Sequence, residues 1–265
     1  MKRLFFPGLL LPLLINGQPA SWNEFNIQRI LPQIATSGTK SLFHPELSMK
    51  SGSDPKLTLL LCTGNRYSMK EMSYVDAGVI WKMENGSIGY RGDFQGFSAL
   101  NSSTQHVHYS QVISSGFMGG ISIGIMNRKF TSQASDTRGF VQLKLSQTFG
   151  DKTSFGFGFG IAGDPIHKQN KTTKQWSCRW DQIINPQLSM GATVEKIDGY
   201  EPRIHLFMQA KIRQIFSMAG GWNLDDGNLE LAGIHHQDNK GQGLIIRHHP
   251  LLGYGMELML QYALR

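Results

Sequence analysis

The chain has 265 residues, a formal net charge of +7, 30 glycines, 15 phenylalanines and two cysteines. Its positive excess is scattered, with no Lys/Arg block of the kind that binds nucleic acid, so a nucleic-acid partner is not expected. Beyond the N terminus no run of eighteen apolar residues offers a helical membrane span, and Cys62 and Cys178 are too few for a disulfide framework: they form one bridge or remain small buried thiols.

The first twenty residues, MKRLFFPGLLLPLLINGQPA, begin with Lys2 and Arg3, continue as an apolar run from Leu4 to Ile15 and end on the small Ala20. That order is the layout of a secretory signal peptide; the run is short for a membrane helix and contains Pro7 and Pro12. Cleavage after Ala20 removes two positive charges and sends the chain out of the cytoplasm. Residues 21–55 alternate poorly and are expected to form a periplasmic or plug segment ahead of a β-barrel over 56–265.

From about Lys56 onward the chain breaks into segments of nine to eleven residues that alternate with period two between Gly, Asn, Asp, Ser and Pro, the pattern of half-buried strands. In chain order the predicted strands are 57–66, 73–82, 87–97, 105–113, 117–129, 141–149, 153–162, 186–194, 204–212, 215–223, 228–237, 242–249 and 254–264. The last is the clearest: Tyr254, Met256, Leu258, Leu260, Tyr262 and Leu264 share one face, and Gly255, Glu257, Met259, Gln261 and Ala263 the other. In 204–212, Ile204, Leu206, Met208, Ala210 and Ile212 oppose His205, Phe207, Gln209 and Lys211. Strands of this length, tilted, cross an outer membrane, whereas strands of soluble sandwiches are usually shorter. Only a closed sheet satisfies every backbone amide within lipid.

The expected fold is therefore all-β: a closed antiparallel transmembrane barrel following a cleaved signal peptide. A barrel with both ends in the periplasm has an even strand number, so thirteen predicted strands imply twelve or fourteen. The long interval from Asp164 to Asp181 falls on the side where connections should be short, and a further strand around Trp176–Trp180 would repair both count and polarity; Leu42–Met49 is the other place for one. Within SFGFGFGIAG, Phe155, Phe157 and Phe159 are expected to meet lipid, as are Leu258 and Leu260, while Gly156, Gly158 and Gly160 face inward beside a plug, a neighbouring side chain or a substrate. Tyr74, Trp81, Tyr90, Tyr109, Trp222, Tyr254 and Tyr262 are candidates for interfacial girdles.

The exported N terminus, the irregular segment Ser21 to Pro55 and the unbroken strands after it resemble the fatty-acid-transporter type of outer-membrane barrel and, more narrowly, the accessory barrels of type IX secretion in Bacteroidota. The similarity is concentrated in Gly220 to Leu264, in GGWNLDDGNLELAGI and RHHPLLGYGMELMLQY. Where such families carry Asn-Pro-Ala before the first strand, this chain has His44-Pro45-Glu46. The resemblance implies a location in the outer membrane and either transport of small or apolar molecules or an accessory role in secretion, with lipid and a secretion or envelope protein as partners.

The same register turns Asp76, Lys82, Arg91, Asp93, Lys144, His205, Gln209, Lys211, Glu230 and Glu257 inward, where mixed charge either lines a polar passage or cross-links a closed lumen. His235/His236 and His248/His249 lie at opposite ends of one strand and read as polar strand ends rather than one metal site. His106, His108 and Ser110 share a face, which raises an acyl hydrolase as the minor enzymatic reading, without an identifiable orienting group. No cofactor is expected. The competing reading is a secreted, soluble β-sandwich or adhesin whose core holds Phe155, Phe157 and Phe159.

Overall fold

Fourteen antiparallel strands, each hydrogen-bonded to its sequence neighbours, close through the pairing of first and last in the computed structural model. The structure describes residues 57–264 apart from positions 66–72, 84, 98–99, 131–135, 151, 164–171, 214, 226, 238–239 and 251–252. The expected signal peptide, the segment 21–55 and the alternative strand Leu42–Met49 all lie outside the described residues. The strands are β1 (Leu57–Asn65), β2 (Ser73–Met83), β3 (Gly86–Phe97), β4 (Leu100–Ser114), β5 (Phe117–Phe130), β6 (Asp136–Phe149), β7 (Thr153–Gly163), β8 (Thr173–Asn185), β9 (Leu188–Ile197), β10 (Arg203–Arg213), β11 (Phe216–Asn223), β12 (Leu229–Gln237), β13 (Lys240–His249) and β14 (Gly253–Leu264). The count is fourteen because β8 supplies the strand missing from the periodic segments. β1 pairs β14 from Leu57↔Leu264 to Asn65↔Met256, so no edge is left open.

The two ends differ. Connections at 84–85, 115–116, 150–152, 186–187, 214–215 and 238–239 are two or three residues long and share an end with the start of β1 and the finish of β14. The opposite end carries the longer ones, including 66–72 and 164–172. In outer-membrane barrels the short turns face the periplasm and the long loops the outside. β4, β5 and β6 are the longest strands, and β4 begins five residues before the predicted segment. Its Asn101-Ser102-Ser103-Thr104 reads as turn composition, yet a strand that projects beyond the lipid can carry polar residues on both faces.

Alternation decides the two faces. Leu59 and Leu61, Val107, Ile123 and Ile125, Leu143 and Leu145, Leu206 and Met208, Leu258 and Leu260 all point outward and are substantially exposed. Phe155 and Phe157 join them, each 46% exposed, and Phe159 lies on the same side, its ring 4.3 Å from that of Trp176. An apolar surface continuous around a whole molecule far exceeds the patches that water-soluble proteins expose; hydrocarbon is its solvent. In a β-sandwich these residues would lie between two sheets, and the single closed sheet overturns that reading. Aromatics rim the outer band, with Trp81, Phe149, Phe155 and Tyr262 toward the short-turn end and Phe94, Trp176, Trp222 and Tyr254 toward the other. Tyr74 is not among them: it is 1% exposed and turned inward, its hydroxyl 3.2 Å from the Cys62 sulfur.

At Gly158, among the glycines that alternate with the phenylalanines, a neighbour fills the space. A Cβ on Gly158 would lie 2.3 Å from Ser177 Oγ on the adjacent strand, so the missing side chain is the space that Ser177 occupies. Gly158→Val is expected to cost about 1–3 kcal/mol through overpacking and to lower the temperature of the heat-induced gel shift of the detergent-solubilised protein. The cysteines do not meet. Cys62 faces inward on β1, Cys178 faces outward on β8, and no disulfide joins them.

Candidate functional site

The interior is the site, and its wall has two characters. From β11 through β14 to β1 and β2 the inward residues include Ala219, Ala232, Ile234, Ile245, Met259, Cys62 and Tyr74, one buried apolar cluster. Around β4 to β9 most inward positions are polar, among them Ser102, Thr104, His106, His108, Ser110, Ser122, Gln142, Lys144, Ser146, Gln175, Ser177, Arg179, Asp181 and Thr193, all buried, with a smaller apolar cluster of Phe140, Ala162 and Ile197 beside them. A polar lining is what a membrane barrel permits inside, because the apolar requirement falls on the lipid face alone. An apolar sector on the inner wall meets no such requirement and is a feature of this lumen.

Within this wall the charges are arranged as pairs. Arg91 on β3 donates from Nε to Asp76 Oδ1 at 2.8 Å and from Nη2 to Asp76 Oδ2 at 2.5 Å, a two-pronged contact across β2–β3. Asp93 is the cross-strand partner of Asp76, so Arg91 stands beside two carboxylates. Arg247 on β13 bridges its two neighbours: Nε lies 3.1 Å from Glu230 Oε1 on β12, and Nη1 lies 2.9 Å from Glu257 Oε1 on β14. Glu257, with 0% exposure, is surrounded by the apolar cluster, and the Cys62 thiol donates toward its Oε2 at 3.9 Å. Across the barrel Arg179 donates to Asp181 at 2.9 Å and lies 4.3 Å above the Phe207 ring. Two-pronged guanidinium–carboxylate contacts fix planar geometry as well as charge.

Of the ten residues that the sequence turns inward, all have inward positions in the strand register, but they do not form one cluster. Asp76, Arg91 and Asp93 sit together, and Glu230 and Glu257 are joined through Arg247. Lys144 lies on the polar wall, His205 and Gln209 on β10 at its border with β11, where Gln209 pairs with Ala219, while Lys82 and Lys211 lie close to the short-turn rim. Arg247 is missing from the sequence-based set although it alternates with Ile245 and Gly243; the neighbouring histidines drew attention from the residue that matters to the register. Arg179 and Asp181 are also absent from that set, because strand count and polarity, rather than a clear alternation, place a strand around Trp176–Trp180. There the alternation Gln175, Ser177, Arg179, Asp181 against Trp176, Cys178, Trp180 was the available signal, obscured because both faces carry large side chains.

The histidine groups are dispersed over the barrel. His235 pairs with Gln242 and His248 with Leu229, at opposite ends of the β12–β13 ladder. Among the described residues no group of three or more His, Cys, Asp or Glu is placed to hold a metal ion. His106, His108 and Ser110 face the interior, away from the acyl chains a surface hydrolase would act on, and Ser110 Oγ is 2.8 Å from Ser87 Oγ. The ring of His108 occupies the space above Gly89, where a Cβ would come within 2.1 Å of it.

No known family profile matches the chain, and no curated protein is similar to it in sequence. Solved structures are similar in shape. A deltaS2S3 mutant of TodX, described as a monoaromatic hydrocarbon channel, aligns over 78% of this chain and 88% of its own with a TM-score of 0.54 and 8% identity. CymD, also described as a monoaromatic hydrocarbon channel, aligns over 77% and 86% with a TM-score of 0.50 and 8% identity. The KdgM porin aligns over 78% and 99% with a TM-score of 0.46 and 11% identity. At these identities the shared property is the fold: the chain is a membrane-spanning β-barrel of the outer-membrane type.

Proposed function

We propose that the protein is an outer-membrane channel for small, uncharged molecules with apolar character. The observation that carries this reading is the apolar cluster of Ala219, Ala232, Ile234, Ile245, Met259, Cys62 and Tyr74, the larger of two in an interior that also holds many polar side chains and several ion pairs. The cluster is packed, with Ile234 at 0% and Ile245 at 1% exposure, so an apolar solute enters by displacing these side chains and meets an environment that a purely polar passage would not offer. Acidic and basic groups are mixed in the interior, so no wall of one sign is present to select ions. Small aromatic molecules are the first class to test, since barrels of similar shape carry them. Cells whose outer membrane lacks other channels, made to produce this chain, should take up labelled toluene faster than control cells. Unchanged toluene uptake alongside faster entry of labelled arabinose would replace this reading with a general polar pore.

The similarity of Gly220 to Leu264 to secretion accessory barrels supports a second reading, a role in protein export. In a strain lacking the gene, loss of exported proteins with normal solute uptake would favour it. Both readings include the signal peptide over residues 1–20. N-terminal sequencing of protein recovered from the outer membrane should begin at Ser21, and a start at Met1 would remove the leader from the account.

A further inference from the structure

On the outer surface, at the short-turn end, β13, β14 and β1 form a groove of about 260 Å³. Two outward rows bound it. Lys240 pairs with Tyr262 and Tyr262 with Leu59 in the row nearer the chain ends; Gln242 pairs with Leu260 and Leu260 with Leu61 in the next. Between the rows run the backbones of Leu60, Gly241 and Gln261, whose side-chain positions face inward. Leu59, Leu61 and Leu260 make the walls apolar, and all three are at least 39% exposed. The rim is different in kind: the Lys240 ammonium is 5.9 Å from the centre of the Tyr262 ring, in an aromatic position typical of the membrane boundary.

We propose that this groove is a binding site for an anionic phospholipid of the periplasmic leaflet, with an acyl chain along Leu59, Leu61 and Leu260 and the phosphate against Lys240. Three observations converge. The groove is apolar and lies within the band that contacts hydrocarbon. Its charged rim is at the end that faces the periplasm, where the leaflet is phospholipid and the headgroups lie level with Tyr262. No carboxylate among the described outward residues of β12, β13, β14, β1 and β2 competes for Lys240. Gln242, exposed at the next row, is placed to donate to a glycerol ester.

A single lysine at a membrane surface favours an anionic headgroup over a zwitterionic one by about fivefold. The folded chain, freed of lipid in detergent, can be titrated with phosphatidylglycerol and with phosphatidylcholine of the same acyl composition and observed by native mass spectrometry. Phosphatidylglycerol should be retained about fivefold better, Lys240→Gln should abolish the difference, and Lys240→Arg should restore it. Lys174→Gln, an outward lysine near the opposite end, should leave the difference intact. Equal retention of the two lipids by the wild-type chain, or an undiminished preference in Lys240→Gln that still shows the heat shift, would overturn the proposal.

Discussion

Arg247→Ala should destabilise the folded barrel by about 3–5 kcal/mol, the cost of breaking a buried ion pair by removing one partner. The arginine stands between Glu230 and Glu257, at 3.1 and 2.9 Å, with side-chain exposures of 7% for Arg247 and 0% for Glu257. Its loss leaves two carboxylates facing each other across β13, one of them within an apolar cluster. The check is urea unfolding in detergent micelles, followed by the gel shift between folded and heated forms. Glu257→Gln in the Arg247→Ala background should recover a large part of the loss, because it removes the buried negative charge that Arg247 offsets. A double variant no more stable than Arg247→Ala would show that the bridge acts through packing of the guanidinium rather than through its charge.

Phe157→Arg should cost about 2–4 kcal/mol, the penalty of a cation at the middle of the lipid face, and Phe155→Arg only about 0–1 kcal/mol if its charge reaches the interface. Phe157 is the fifth of eleven residues in β7, whereas Phe155 is the third and lies toward the short-turn end. Both are 46% exposed on the outer face, so exposure alone would give them equal costs. Each also loses a ring contact, Phe157 with Trp176 at 5.7 Å and Phe155 with Phe149 at 5.9 Å, which makes the comparison fair. Folding yield into lipid vesicles, measured by the fraction of heat-shifting protein, distinguishes the two variants. Equal yields would mean that this face does not lie in hydrocarbon.

Periodicity made most of the fold readable. Thirteen strands stand out because each places apolar residues on one side at a spacing of two, and the demand that a barrel close with an even number pointed to the fourteenth near Trp176–Trp180. β8 was difficult for a physical reason. Its outward face carries Trp176, Cys178 and Trp180, but its inward face carries Arg179, whose guanidinium packs on Phe207, so both faces bear bulk and the contrast fades. Tyr74 shows the opposite failure. A tyrosine near a strand end reads as an interfacial residue, and nothing local distinguishes it from one that turns inward to meet Cys62.

The interior was legible by residue and not by partnership. Alternation alone assigns Asp76, Arg91, Glu230 and Glu257 to one face, because successive side chains of a strand must point to opposite sides. It cannot say that Glu230 and Glu257, separated in sequence by a whole strand, share Arg247, since that depends on the register of three neighbouring strands. The sequence by itself determined the closed β architecture, the lipid-facing phenylalanines of β7 and the polarity of the inner positions. Only the tertiary structure decided which charges pair, that Cys62 and Cys178 lie apart, and that the apolar inner residues of β11, β12, β13, β14, β1 and β2 gather on one wall. Facing is a property of a single strand, whereas adjacency depends on how the strands are paired around the barrel.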